Sequence, residues 1–193
     1  NSQHELTLLE LNNYPNPQMI CKLEITTPLD KLPPVLEQLI NLTKLTAVSG
    51  RISKIEHLQY CEKLRFLNLS SNIISRIENL KNNKQLKCLV LDYNPIACIQ
   101  IDDLKPLKSL EKLFLSGTKI NNLWMTAAAL KNAPSLNEVA FCKFDGQYMQ
   151  NLLDLESIEI YNDDEIEKEE DLETIIDTIT GRIGDMTIEE IGG

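Results

Sequence analysis

The sequence predicts an α/β solenoid, with short parallel strands lining a concave face and helical or 3-10 turns on a convex face. Two observations carry that expectation: an apolar motif, LxxLxLxxNxI, recurs along the chain, and its successive copies begin 22 residues apart. A third agrees with them: 42% hydrophobic residues with only 5% aromatic ones suit an aliphatic core in a chain of 193 residues.

The clearest copies open at Leu64 (LRFLNLSSNII) and Leu86 (LKCLVLDYNPI). The copy at Leu42 carries Gly50 in the asparagine slot, and the copy at Leu110 carries Thr118 there. Weaker copies open at Ile20 (with Leu23 and Ile25), Leu6 (with Leu9 and Leu11), Leu136 (with Val139 and Phe141) and Leu155 (with Ile158 and Ile160). The 22-residue step occurs three times in succession, between the starts at 20, 42, 64 and 86. The expected organisation is an array over residues 1–160, seven to eight units that are strongest over 42–135. An acidic C-terminal segment, 161–193, follows as a cap or tail.

The spacing has a physical reading. In LxxLxL the second and third apolar residues alternate with outward ones, as a strand buried on one face requires. An asparagine after the strand can satisfy turn backbone that has no ladder partner, and Asn72 and Asn94 occupy that slot. The following aliphatics (Ile52, Ile55, Leu58; Ile74, Ile77, Leu80) return the chain along the convex side. A single unit leaves one face bare, so stacking neighbours creates the core. Convex helix should be longest where units are longest, with Trp124–Asn132 as the best candidate.

The segments Ser53–Leu58 (SKIEHL) and Ser75–Leu80 (SRIENL) resemble the signature of the 22-residue leucine-rich-repeat class typified by a regulatory subunit of protein phosphatase 1. The resemblance spans about residues 20–141. It implies a leucine-rich-repeat solenoid, a regulatory role without catalysis and a phosphatase among the candidate partners. Dynein light chains, spliceosomal proteins, acidic-tailed nuclear proteins and tubulin-folding factors share the repeat, and no phosphatase-contacting residue is carried over. The stretch Leu123–Leu130 (LWMTAAAL) is similar to leucine-rich segments attached to WD-repeat domains in some plant proteins.

Outward strand positions are where such an arc meets a partner. Phe66, Val90 and Phe114 fall on them in adjacent units, with Cys88 beside them and Asn68, Asp92, Tyr93, Lys112 and Ser116 around them. An exposed apolar group with a polar rim marks an interface. The alternative is that a flank of the chain covers these residues. The expected function is therefore a protein-interaction scaffold or adaptor binding another protein on its concave face, monomeric when unbound. An alternative starts from charge: residues 1–144 carry 17 basic and 13 acidic residues, whereas 145–193 carry 2 and 16. That acidic end would suit histones or another basic surface.

Five scattered cysteines without a CxxC pair suggest reduced thiols in cytoplasm or nucleus. No basic, apolar leader opens the chain and no apolar run is long enough for a membrane span. Two histidines assemble no catalytic set, and no phosphate loop or metal-ligand spacing is found. Catalysis, metal and cofactor are not expected, nor is nucleic acid for a chain of net charge −10.

Overall fold

The computed structural model describes residues 3–141 and 159–162. Within them lies one sheet of eight strands: β1 (Gln3–Leu6), β2 (Lys22–Ile25), β3 (Lys44–Thr46), β4 (Phe66–Asn68), β5 (Cys88–Val90), β6 (Lys112–Phe114), β7 (Glu138–Phe141) and β8 (Glu159–Asn162). The strands lie in chain order, each parallel to the next. Every neighbouring pair is thus joined by one repeat's worth of chain, which is the topology of a leucine-rich-repeat solenoid.

The motif leucines build the core. Leu23, Leu45, Leu67, Leu89 and Leu113 stack in register at the centre of successive strands, each fully buried. Burial of a leucine contributes about 2 kcal/mol, so each unit is stable only beside a neighbour that covers it. Convex aliphatics Ile52, Ile55 and Leu58, then Ile74, Ile77 and Leu80, close the same cluster from the far side.

Convex structure scales with unit length. The 22-residue units starting at 42 and 64 contain no helix on their return path. The 24-residue unit starting at Leu86 fits a four-residue α-helix, α2 (Ile101–Leu104), and the 26-residue unit starting at Leu110 fits the nine-residue α3 (Leu123–Lys131). Helix α3 matches the expected segment within one residue at each end, and Asn122 caps it by accepting a hydrogen bond from the Met125 amide. Short α1 (Leu8–Asn12) and 3-10 turns at Pro17–Met19 and Pro34–Gln38 serve the first two units.

The asparagine slot acts between units. Asn94 Nδ2 donates to the carbonyls of Leu91, 3.1 Å away, and of Leu69 in the previous unit, 3.0 Å away. Its Oδ1 accepts from the amide of Ile74, also one unit back. Where the slot is Thr118, its hydroxyl makes a local bond to the Leu115 carbonyl. Where it is Gly50 the space belongs to Leu29 backbone, which a Cβ would meet at 2.5 Å.

Two unit starts differ from the expectation, with different consequences. The first strand is Gln3–Leu6, and its Leu6 pairs with Ile25, so Leu6 is the last apolar position of its motif and not the first. Thr7 then ends the strand by a capping box with Glu10 that opens α1. The odd displacement exchanges faces: Leu8, Glu10 and Asn12 lie in helix α1, Leu9 is 73% exposed, and Gln3 and Glu5 take the outward positions. In the last unit Val139 pairs with Ile160 where Ile158 was expected. That two-residue slip keeps Glu159 and Tyr161 on the outward face but moves each by one row, Glu159 beside Glu138 and Tyr161 beside Ala140. Of the acidic segment 161–193, only 161–162 belong to the described residues.

Candidate functional site

The concave face follows from register. One row across the sheet runs Lys22, Lys44, Phe66, Cys88, Lys112, Glu138. The next runs Glu24, Thr46, Asn68, Val90, Phe114, Ala140. With strands about 4.8 Å apart, neighbours in a row are in side-chain contact range. Phe66, Val90 and Phe114 therefore share the face that the sequence placed them on, in the middle of the array.

Their exposure differs from expectation. Phe66 is half-buried, but Val90 is 0%, Phe114 3% and Cys88 5% exposed, although none belongs to the main core cluster. Asn68, Lys112 and Ser116 are buried as well, and Asp92 is half-buried. Within the rows Val90 is hemmed by Asn68 and Phe114, and Phe114 by Val90 and Ala140. The concave centre is thus a second, closed layer. Of the nine residues assigned to the docking surface, Tyr93 is the most exposed, at 52%.

Charge follows the same rows. Lys112 Nζ lies 3.2 Å from Glu138 Oε1, both buried. Lys44 Nζ stands 5.1 Å from the centre of the Phe66 ring, a cation–π contact at the edge of the apolar group. The rim is held by side chain to backbone bonds. Asp92 Oδ1 accepts from the Ser116 amide at 2.8 Å, while Asn68 Oδ1 accepts from the Ser70 amide and hydroxyl. Tyr93 takes a left-handed backbone (φ 57°) and its ring covers Gly117, itself at φ 68°. Burial pushes the Cys88 thiol well above its ordinary pKa, with Lys112 pulling it down and Glu138 and Asp92 adding to the rise, and so suppresses the thiolate.

Sequence reasoning placed Lys112 at the rim but missed its pairing with Glu138. The signal was available, since both occupy the third position of adjacent units and in-register stacking brings such positions together. The convex face carries a groove of about 640 Å³ lined by Glu37, His57, Arg76, Asn79 and Asp103 among others. Its polar groups engage one another: His57 Nδ1 is 2.7 Å from Glu37 Oε2, and Arg76 Nη2 is 3.6 Å from Asp103 Oδ1. Among the described residues no group of three or more His, Cys, Asp or Glu is placed to hold a metal ion, and no helix is long and apolar enough to cross a membrane.

Sheet order and register define a leucine-rich-repeat protein. Its solved likenesses agree on the class. Internalin C2 of Listeria monocytogenes matches with 25% identity and a TM-score of 0.54, over 64% of this chain and 52% of its own. The TLR13–ssRNA13 complex matches with 27% identity and a TM-score of 0.63, over 69% and 19%. A leucine-rich-repeat protein of Leptospira interrogans matches in fold, with 20% identity and a TM-score of 0.57, over 73% and 38%. The chain thus spans about half of the internalin and smaller parts of the others. No curated protein matches it. The family model described as "DWD hypersensitive to UV-B 1, N-terminal" matches residues 19–186, and the chain belongs to that family.

Proposed function

We propose that this chain is a non-enzymatic adaptor that holds a protein partner on its concave face, as the interaction part of a UV-B-linked protein. The observation that carries the reading is the aromatic and aliphatic group Phe66, Val90 and Phe114, which is gathered on three adjacent strands yet lies outside the repeat core. A solenoid needs no such residues to stack its units, since outward strand positions are free to be polar. Tyr93 and Phe66 are the parts that water reaches, and they are the first anchors a partner meets. The family's description supplies the UV-B link.

A protein is favoured over nucleic acid as partner. The TLR13 structure is a complex with ssRNA13, but this chain carries a net charge of −10, against the basic surface such binding demands. The SKIEHL and SRIENL phrases and the three 22-residue steps support the finer reading, a regulatory subunit of the phosphatase-associated repeat class. Replacing Phe66 and Tyr93 together by alanine tests the face. Capture of the partner should weaken about tenfold or more, while circular dichroism and the exposed convex variant Lys81→Ala show a fold and capture like wild type. Undiminished capture by the double variant would reject the concave site.

A further inference from the structure

We propose that the edge formed by the loops after β3, β4, β5 and β6 is an interaction surface for an acidic, extended protein segment with an apolar residue between its carboxylates. The proposal rests on the docking reading only through Tyr93, which stands at the rim between this edge and the concave face.

The loops repeat with the units, so their side chains form rows as those of the strands do. One row runs Ser49, Ser71, Tyr93, Gly117; the Ser71 amide donates to the Asp92 carbonyl and the Tyr93 amide to the Ser116 carbonyl, both at 2.8 Å. The next row runs Arg51, Ile73, Pro95, Lys119. Here the Ile73 amide donates to the Ile52 carbonyl and the Lys119 amide to the Ile96 carbonyl, both at 2.9 Å.

Stacking does not account for the apolar residues of this edge. Ile73 is 48% and Tyr93 52% exposed, Pro95 is exposed as well, and none belongs to the core cluster. All four residues of the first row have left-handed backbone, φ 57° to 68°, which suits serine and glycine and disfavours a bulky side chain. Tyr93 is the one bulky residue among them. Gly117 in turn clears the place for its ring, which a Cβ there would meet at 2.4 and 2.7 Å. A large aromatic held half in water where small residues would serve is an anchor for another molecule.

Charge selects the molecule. Segments 49–54, 71–76, 93–98 and 117–122 hold four bases (Arg51, Lys54, Arg76, Lys119) and no acid, within a chain of net charge −10. Arg51 and Lys119, exposed at the two ends of the second row, make no ion pair among the described residues. Three unit spacings separate them, about 14 Å, which an extended chain covers in about four residues. Carboxylates at the first and fifth positions of such a segment therefore meet the two cations, and an apolar third position, on the same side of the strand, meets Ile73 and Pro95. Aliphatic Ile73 and Pro95 offer no stacking platform for bases, so protein is favoured over nucleic acid.

The probe is a rhodamine-labelled nine-residue peptide with glutamate, leucine and glutamate at its third, fifth and seventh positions and glycine or serine elsewhere. Fluorescence anisotropy with the intact chain should show it binding about tenfold or more tighter than its glutamine counterpart, the gap narrowing as salt rises. Ile73→Ser, and the double change Arg51→Glu with Lys119→Glu, should each weaken it about tenfold while circular dichroism stays that of wild type. No binding of the glutamate peptide, equal binding of the glutamine one, or indifference to these variants would overturn the proposal. Displacement of the peptide by mixed-sequence single-stranded RNA at lower concentration would assign the edge to nucleic acid and overturn it too. Phe66→Ala separates the two readings. Partner capture that falls with Phe66→Ala but not with Ile73→Ser would leave the concave site standing while this inference fails, and peptide binding lost with Ile73→Ser but not with Phe66→Ala supports the edge independently of that site.

Discussion

Replacing Asn72 by alanine is the sharpest test of how the repeats are joined. The side chain is buried, and its Nδ2 donates to the carbonyls of Leu69 (2.9 Å), Ala47 (3.0 Å) and Ser70 (3.2 Å), while Oδ1 accepts from the Ile52 amide at 3.1 Å. Ala47 and Ile52 belong to the preceding unit, so the loss falls on a junction as well as on a turn. Two strong donor bonds and one acceptor bond at about 1 kcal/mol each give about 3 kcal/mol. Leaving the Ile52 amide buried and unpaired adds about 1–2 kcal/mol, so the expected cost is about 4–5 kcal/mol. Asn72→Asp should be at least as damaging. It keeps an acceptor for Ile52 but turns a second oxygen toward three carbonyls. Urea denaturation followed by far-ultraviolet circular dichroism measures both, with native-state hydrogen exchange to localise the weakening at the junction of β3 and β4. A cost below about 0.5 kcal/mol for Asn72→Ala would refute the view that this side chain ties units together.

The remaining predictions concern the concave charge, the tight glycine and the buried thiols. Glu138→Ala should cost about 3–5 kcal/mol because it strands Lys112 in a buried site, whereas the joint change Lys112→Met and Glu138→Leu should be near neutral, as thermal and urea melts can show. Gly50→Ala should destabilise by about 1–3 kcal/mol, because the new Cβ meets backbone of Leu29 at 2.5 and 2.8 Å and not a yielding side chain. Burial pushes the Cys61 thiol up to about 12, so stability should be unaffected below pH 9 and fall as pH rises above it. Above pH 9 the unfolded chain sheds a proton that the folded one keeps, a loss of about 1.4 kcal/mol per pH unit until pH 12. Cys61→Ala should show a shallower decline between pH 9 and 10.5 in parallel melts.

The fold was legible in the sequence because its repeat period is printed there and its side-chain period is two. Strands β2 to β7 fall where their motifs begin, since each has at least two aliphatics spaced for one buried face. The ends were less legible. The first unit has His4 in place of its central leucine, so the nearest LxxLxL match slid onto residues of a capped helix. Helix α3 was readable from alanine content and from a unit too long for a bare return, whereas four-residue α2 left no comparable signal. At the candidate site, placement was legible and accessibility was not. Register follows from matching motif positions even where units are 24 or 26 residues long, but how far Val90 and Phe114 meet water depends on side-chain packing across the rows, which no period encodes. The Lys112–Glu138 pair illustrates the middle case: its proximity follows from equal slots, but its burial does not.

Cys88 offers the most direct measurement on the central claim, because it sits in the concave row beside Phe66 and is a free thiol. The account holds that this face is a closed layer separate from the repeat core. Labelling the native chain with N-ethylmaleimide, and following each site by peptide mass spectrometry, compares Cys88 with exposed Cys21 and with core Cys61. The predicted order is Cys21 fastest, Cys88 slower by about tenfold or more, and Cys61 slowest, because the concave layer opens without unfolding the repeats. Labelling of Cys88 at the rate of Cys21 would mean an open face and contradict the account.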